Sequence, residues 1–377
     1  MTNEQRFLIY LIDCAVSGKK VYLPDYMIDW TAFAAYAEEQ QFEHIIYPLL
    51  KNIKPNIDSK VWHHLHQRYG RVVVWDNMQD MALAEIGELF DNEKLMYMPL
   101  KGSVLKEYYP LPDLRRSSDI DILVKTEDFD RAAELLKGIG YEKKFHTSIM
   151  HEVYTREKVV IELHKQLADE VINEQSVLFT NKVWDNMHIS DGFRCVMNPE
   201  FMMVYLLVHM RSHLLSLGGG GIKLVLDIRI LKNSMEVDDE KLSDFLKESG
   251  LNNLNSYVHD LICSWWDGEE IKNEYAATLE EIILNSGAYG DYEIHTNTLM
   301  LQGKSNRVKN LAKMLFLSPE LMRRKYPVLK KYPALLPFMW IHRIVVSDMS
   351  HKKTVLDSSI SIPKDKARKL KNLFESI

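Results

Sequence analysis

The 377-residue chain reads as an α+β protein, with a short mixed-sheet module set between an N-terminal and a C-terminal helical region. Three observations predict this. From Glu4 to about Lys94 apolar residues recur at helical spacing, as in "DWTAFAAYAEEQQFEHIIYPLL" and through the run from Lys60 to Phe90. Between Leu95 and Lys165 the texture changes to short apolar runs, "LMYMPL", "DIDILV" and "KVVIEL", alternating with one amphipathic helix, "TEDFDRAAELLKGIG". After about Asp169 helical periodicity returns and persists to the C-terminus, broken by "LGGGG" at 217–221 and by prolines between 326 and 337. The expected division is therefore 1–94 helical, 95–168 sheet module and 169–377 helical.

Composition narrows the class. With 46% hydrophobic residues the chain can bury a full core, and a formal net charge of -6 gives no global pull toward nucleic acid or anionic membrane. Only Cys14, Cys195 and Cys263 occur, without CxxC spacing, so no disulfide framework or cysteine zinc site is expected and the compartment reads as reducing. The longest apolar stretch, "FMMVYLLV", falls far short of the roughly 20 residues a bilayer requires. Asp13 interrupts "RFLIYLIDCAVSGKK" where a signal peptide stays apolar, so a cytoplasmic protein without membrane attachment is expected.

Within the module each element has a local reason. "LMYMPL" is a strand, followed by Lys101-Gly102-Ser103 and a short helix whose N–H groups and positive dipole end suit phosphate. "RRSSDIDILV" carries the next strand, with Asp119 and Asp121 on one face and Ile120, Ile122 and Val124 on the other. Thr126 is the expected N-cap of the helix that stops at Gly138 and Gly140. "KVVIELHKQ" is a further strand, with Val160, Glu162 and His164 on one face and Val159, Ile161 and Leu163 on the other.

Two carboxylates about 4 Å apart repel by roughly 4 kcal/mol at an effective dielectric near 20. A divalent cation relieves that repulsion, and Mg²⁺ takes carboxylate together with phosphate oxygens, so the Asp-x-Asp strand is half of a metal–nucleotide site. Removing either aspartate is then expected to relieve strain. Solvent-facing edges of amphipathic strands also produce Asp-x-Asp, which is the plainer alternative.

Together "LKGSVLKEYYP", "RRSSDIDILV", the helix ending in Gly140-Tyr141 and "IELHK" resemble the nucleotidyltransferase superfamily, typified by DNA polymerase beta, and more narrowly nucleotidyltransferase family 5. The resemblance is densest over 95–165 and thinner to about 235. Fifteen residues between Ser103 and Asp119 exceed the usual superfamily spacing. The resemblance implies a nucleotidyltransferase fold and Mg²⁺-dependent transfer of NMP from an NTP to an acceptor, with release of pyrophosphate. It implies two Mg²⁺ ions, or Mn²⁺, on Asp119 and Asp121. Glu162 would complete the acceptor-side metal or serve as base. Lys101, Gly102 and Ser103 would hold the β- and γ-phosphates, Arg116 would steady triphosphate charge, and His213, Lys223 and Asp227 would face the nucleotide from the following helices.

Other features have plainer readings. His209 and His213 are four apart on a helix but lack a third ligand, so packing or hydrogen bonding is expected. Glycines 218–221 connect two helices or act as a hinge, and Trp265–Trp266 read as helical core. Basic residues dominate Lys304–Lys331 and "KDKARKLKNLF", either as solvated helix faces or as a patch for a phosphate-rich acceptor such as tRNA. A small-molecule or protein acceptor is preferred. The competing functions are a non-catalytic nucleotide sensor of the same fold and a toxin-like enzyme that modifies tRNA.

Overall fold

The computed structural model describes residues 1–145, 148–168, 174–290, 316, 319, 322–323, 326, 328–346 and 364–377. Four helices lead, α1 (Asn3–Ser17), α2 (Trp30–Glu39), α3 (Glu43–Ile53) and α4 (Ser59–Asn92). Their starts are set locally: Thr2 and Gln5 cap α1 reciprocally, and the Asp29 and Asp58 carboxylates accept the first free N–H groups of α2 and α4.

The sheet module follows as β1 (Tyr97–Pro99), the one-turn α5 (Gly102–Leu105), β2 (Ile120–Val124), α6 (Phe129–Gly138), β3 (Glu142–Lys144), β4 (His151–Arg156) and β5 (Val159–His164). Two 3₁₀ turns, Lys106–Tyr108 and Pro112–Leu114, take up the long stretch between Ser103 and Asp119. Thr126 opens a 3₁₀ turn ahead of α6 and does not cap the helix itself.

The chain then runs through α7 (Glu174–Thr180), β6 (Met187–Asp191), β7 (Arg194–Met197), α8 (Pro199–Leu217), α9 (Lys223–Ser234), α10 (Asp239–Ser249), α11 (Asn252–Ile262) and α12 (Glu274–Asn285). The order of the seven-stranded mixed sheet is β3-β4-β5-β2-β1-β7-β6. The β6–β7 hairpin corrects the expectation of helix alone beyond 169. It was hidden because β6 is a short, largely exposed edge strand with only Met187 and Ile189 apolar. Gly192, at φ +52, makes its turn, and a Cβ there would meet the Asp91 carboxylate at 2.6 Å.

The sheet has two unlike faces. Ile120, Ile122, Val124, Val159, Ile161 and Leu163 pack with Ala82, Ile86 and Phe90 of α4 and with Ala132 and Leu136 of α6. Each such buried branched side chain contributes about 1.5–3 kcal/mol, enough to hold β2 in register although it carries charges on its other face. That other face looks toward α8, which is buried over most of its surface, and α9. The C-terminal helix Lys364–Ser376 seats Leu370 and Leu373 in the core and leaves Arg368 and Lys369 exposed. Most of the basic stretch Lys304–Lys331 lies outside the described residues. No described helix is long and apolar enough to cross a membrane, and the three cysteines are free.

Candidate active site

Strand pairing decides which charges meet. β2 and β5 run parallel with Asp121 opposite Glu162 and Leu123 opposite His164, so Asp121 and Glu162 lie side by side on the face away from α4. Asp119 ends the loop just before β2, its side chain receiving the Ser118 hydroxyl at 3.2 Å. Asp119, Asp121 and Glu162 line one cavity of about 260 Å³. Its other walls include Lys101, Gly102, Arg115, His213, Lys223 and Asp227. A second cavity of about 500 Å³ shares Lys101, Glu162, His209 and His213 with the first and adds His151, His164 and Tyr205.

Part of this charge is balanced by the protein's own side chains. Lys101 Nζ lies 2.7 Å and His164 Nε2 2.8 Å from Asp121 Oδ1. Burial works against the Asp121 charge, but Lys101 and His164 outweigh it and hold the carboxyl well below the usual range. Burial likewise opposes the charges on Lys101 and His164, and the facing acids raise both pKa values. Among the described residues Asp119 has no such ion-pair partner. Burial, then the Asp121 charge, pushes its pKa up to about 6. The expected repulsion is thus real for Asp119 but already offset for Asp121.

Lys101 reaches Asp121 from a backbone at φ +48, a region costly for a residue with a Cβ, by about 1–3 kcal/mol. The amides of Ser103, Val104 and Leu105 donate to the carbonyls of Leu100 and Lys101. The one-turn helix therefore does not present the row of free N–H groups expected of it. Gly102 is needed for a different approach than that of phosphate alone: a Cβ would sit 2.5 Å from Ser117 Oγ, in the loop that delivers Asp119. Ser103 is buried and does not line either cavity.

Arg116 points elsewhere, over the Trp75 ring at 5.3 Å and with its guanidinium 3.7 Å from Glu43. Its neighbour Arg115 lines the cavity and grips Asp227 through Nε at 2.6 Å and Nη2 at 2.8 Å, while the Tyr109 hydroxyl donates to the same carboxylate at 2.7 Å. Lys223, at the start of α9, donates to Gln41 at 3.1 Å. Burial, then the nearby Arg115, draws its pKa down to about 7. His209 and His213 stack edge to face at 4.3 Å, and burial keeps both neutral, His213 at about 4.

Sequence reasoning missed Arg115, Tyr109, Gln41 and His151. His151 is directly opposite His164 across the antiparallel β4–β5 pair. No local signal marks that pairing. His164 was on the right face by strand phase, without an assigned task.

A mixed sheet that offers an aspartate pair and a neighbouring glutamate to a cavity ringed by basic side chains defines a protein of the nucleotidyltransferase-fold class. The chain belongs to the family of uncharacterised nucleotidyltransferases, whose family model matches residues 26–267, well over half its length and beyond the stretch where the motifs are densest. Comparison with curated proteins and with solved structures gives no significant match.

Proposed function

We propose that the protein transfers NMP from an NTP to an acceptor, with Mg²⁺, or Mn²⁺ in its place, held by Asp119, Asp121 and Glu162. One observation carries this reading: three carboxylates share one cavity with Lys101, Arg115 and Lys223. The donor set fits a hard cation, being all oxygen, and Asp119, buried beside the Asp121 carboxylate, has its pKa raised by burial and then by that neighbouring charge. Bound there, magnesium supplies charge neutralisation at the triphosphate.

The chain's own groups do the rest. Lys101 and Lys223 attract the phosphates, Gly102 keeps the Asp119 loop close, and Arg115, clamped by Asp227, sets the far wall. The acceptor attacks the α-phosphorus, the bond to the β-phosphate breaks, and pyrophosphate leaves. Glu162, bordering both cavities, takes the acceptor's proton. Ser103 acts through the turn it occupies, and Arg116 steadies the loop through Trp75 and Glu43. His213 bounds the nucleotide side.

A non-catalytic nucleotide-binding role is the second reading, favoured by the Lys101–Asp121–His164 contacts, which balance part of the charge without a metal. One experiment separates the two. Each α-labelled NTP is incubated with protein, Mg²⁺ and a cell extract, and the label is followed into small-molecule, protein and RNA fractions. Label in the small-molecule or protein fraction, abolished by chelator and by Glu162→Gln, is expected. Bound NTP without transfer supports the second reading, and turnover undiminished in excess chelator refutes the metal role.

A further inference from the structure

On the side of Glu162 away from Asp119, a second set of donors faces the larger cavity. His151 and His164 are cross-strand partners in the β4–β5 pair, and Glu162 lies two residues before His164 on the same face. His151 Nε2 is 3.5 Å from Glu162 Oε1, and His164 Nε2 is 3.4 Å from Glu162 Oε2. The three donor atoms lie within 4.8 Å of one another, and all three side chains line the 500 Å³ cavity.

We infer that His151, Glu162 and His164 form a binding site for a borderline divalent ion, Zn²⁺ foremost, which shares only Glu162 with the oxygen set anchored by Asp119 and Asp121. Two imidazoles and one carboxylate are a donor set that favours zinc over magnesium, and three protein donors with an open side toward a cavity are the pattern of a zinc site that also accepts an outside ligand. Two adjacent strands fix the donors, so little ordering is left for the ion to impose. Asp121 keeps the Lys101 ammonium at 2.7 Å, so turning His164 Nε2 to a metal does not strand its carboxylate. The site does not depend on nucleotide transfer, because its donors converge without a nucleotide.

The test uses full-length, metal-stripped protein without nucleotide. Zn²⁺ is titrated by calorimetry, and Co²⁺ absorption reads the coordination. One equivalent of Zn²⁺ should bind, at about micromolar Kd or tighter. Asp119→Asn should leave this affinity within about threefold, whereas His151→Gln should weaken it by at least about tenfold. His151→Cys replaces one zinc donor with another and should retain binding, with a thiolate-to-cobalt charge-transfer band in the near ultraviolet. That band decides the question even where the Gln variant loses its fold. Absence of Zn²⁺ binding in the wild type, Zn²⁺ affinity that follows Asp119→Asn and ignores His151→Gln, or a Cys variant without the band overturns the site. Loss of nucleotide transfer with Zn²⁺ binding intact would count against the transferase reading alone.

Discussion

Asp119 and Asp121 are one residue apart, yet the structure predicts opposite stability effects for the same substitution. Native Asp119 holds its proton to about pH 6, against an ordinary value of 3.8, so between those values folding takes up a proton and stability falls as pH rises. The roughly two-unit shift corresponds to at most about 3 kcal/mol at pH 7. Asp119→Asn should recover part of this, stabilising the metal-free protein by about 1–3 kcal/mol at pH 7 and by almost nothing near pH 4. Asp121 is the reverse case. Its depressed pKa adds stability that is present above the unfolded value and lost as pH falls toward the folded one. Asp121→Asn strands the Lys101 ammonium without its anion, deprives His164 Nε2 of its carboxylate acceptor, and should cost about 3–5 kcal/mol at neutral pH. The assay is urea unfolding in excess chelator at several pH values from 4 to 7.5. If both variants move the midpoint in the same direction at pH 7, the reading that Lys101 and His164 compensate Asp121 and leave Asp119 uncompensated is wrong.

Two further outcomes are expected. Glu162→Gln should leave most NTP binding intact while transfer drops by roughly 10²- to 10⁴-fold, the loss typical of a missing general base; full activity in steady-state kinetics would remove Glu162 from that role. Gly102→Ala should cost about 1–3 kcal/mol and weaken metal-dependent nucleotide binding, because its Cβ would push Ser117 and with it the Asp119 loop; an unchanged melting curve and Kd would refute this coupling.

Much of this molecule was legible along the chain. The period-two alternation in "DIDILV" and "KVVIEL" assigned Ile120, Ile122 and Val124 to the core and Asp121, Glu162 and His164 to the opposite face, because side chains two apart in a strand share a face whatever the rest of the fold does. The spacing of apolar residues likewise predicted the helices before Lys94, and the motif set predicted the family. Tertiary structure decided the remainder. Asp121 finds its counter-charges in Lys101, 20 residues earlier, and in His164, 43 residues later. Arg115 rather than Arg116 faces the cavity because Asp227, 112 residues away, is there to hold it. His151 joins Glu162 only through strand pairing, and the β6–β7 hairpin joins the sheet only where β1 leaves an open edge for β7. Local periodicity fixes which way a side chain points from its own element; which charge it meets depends on low-dielectric contacts between distant segments, and these exist only once the sheet and α8 have come together.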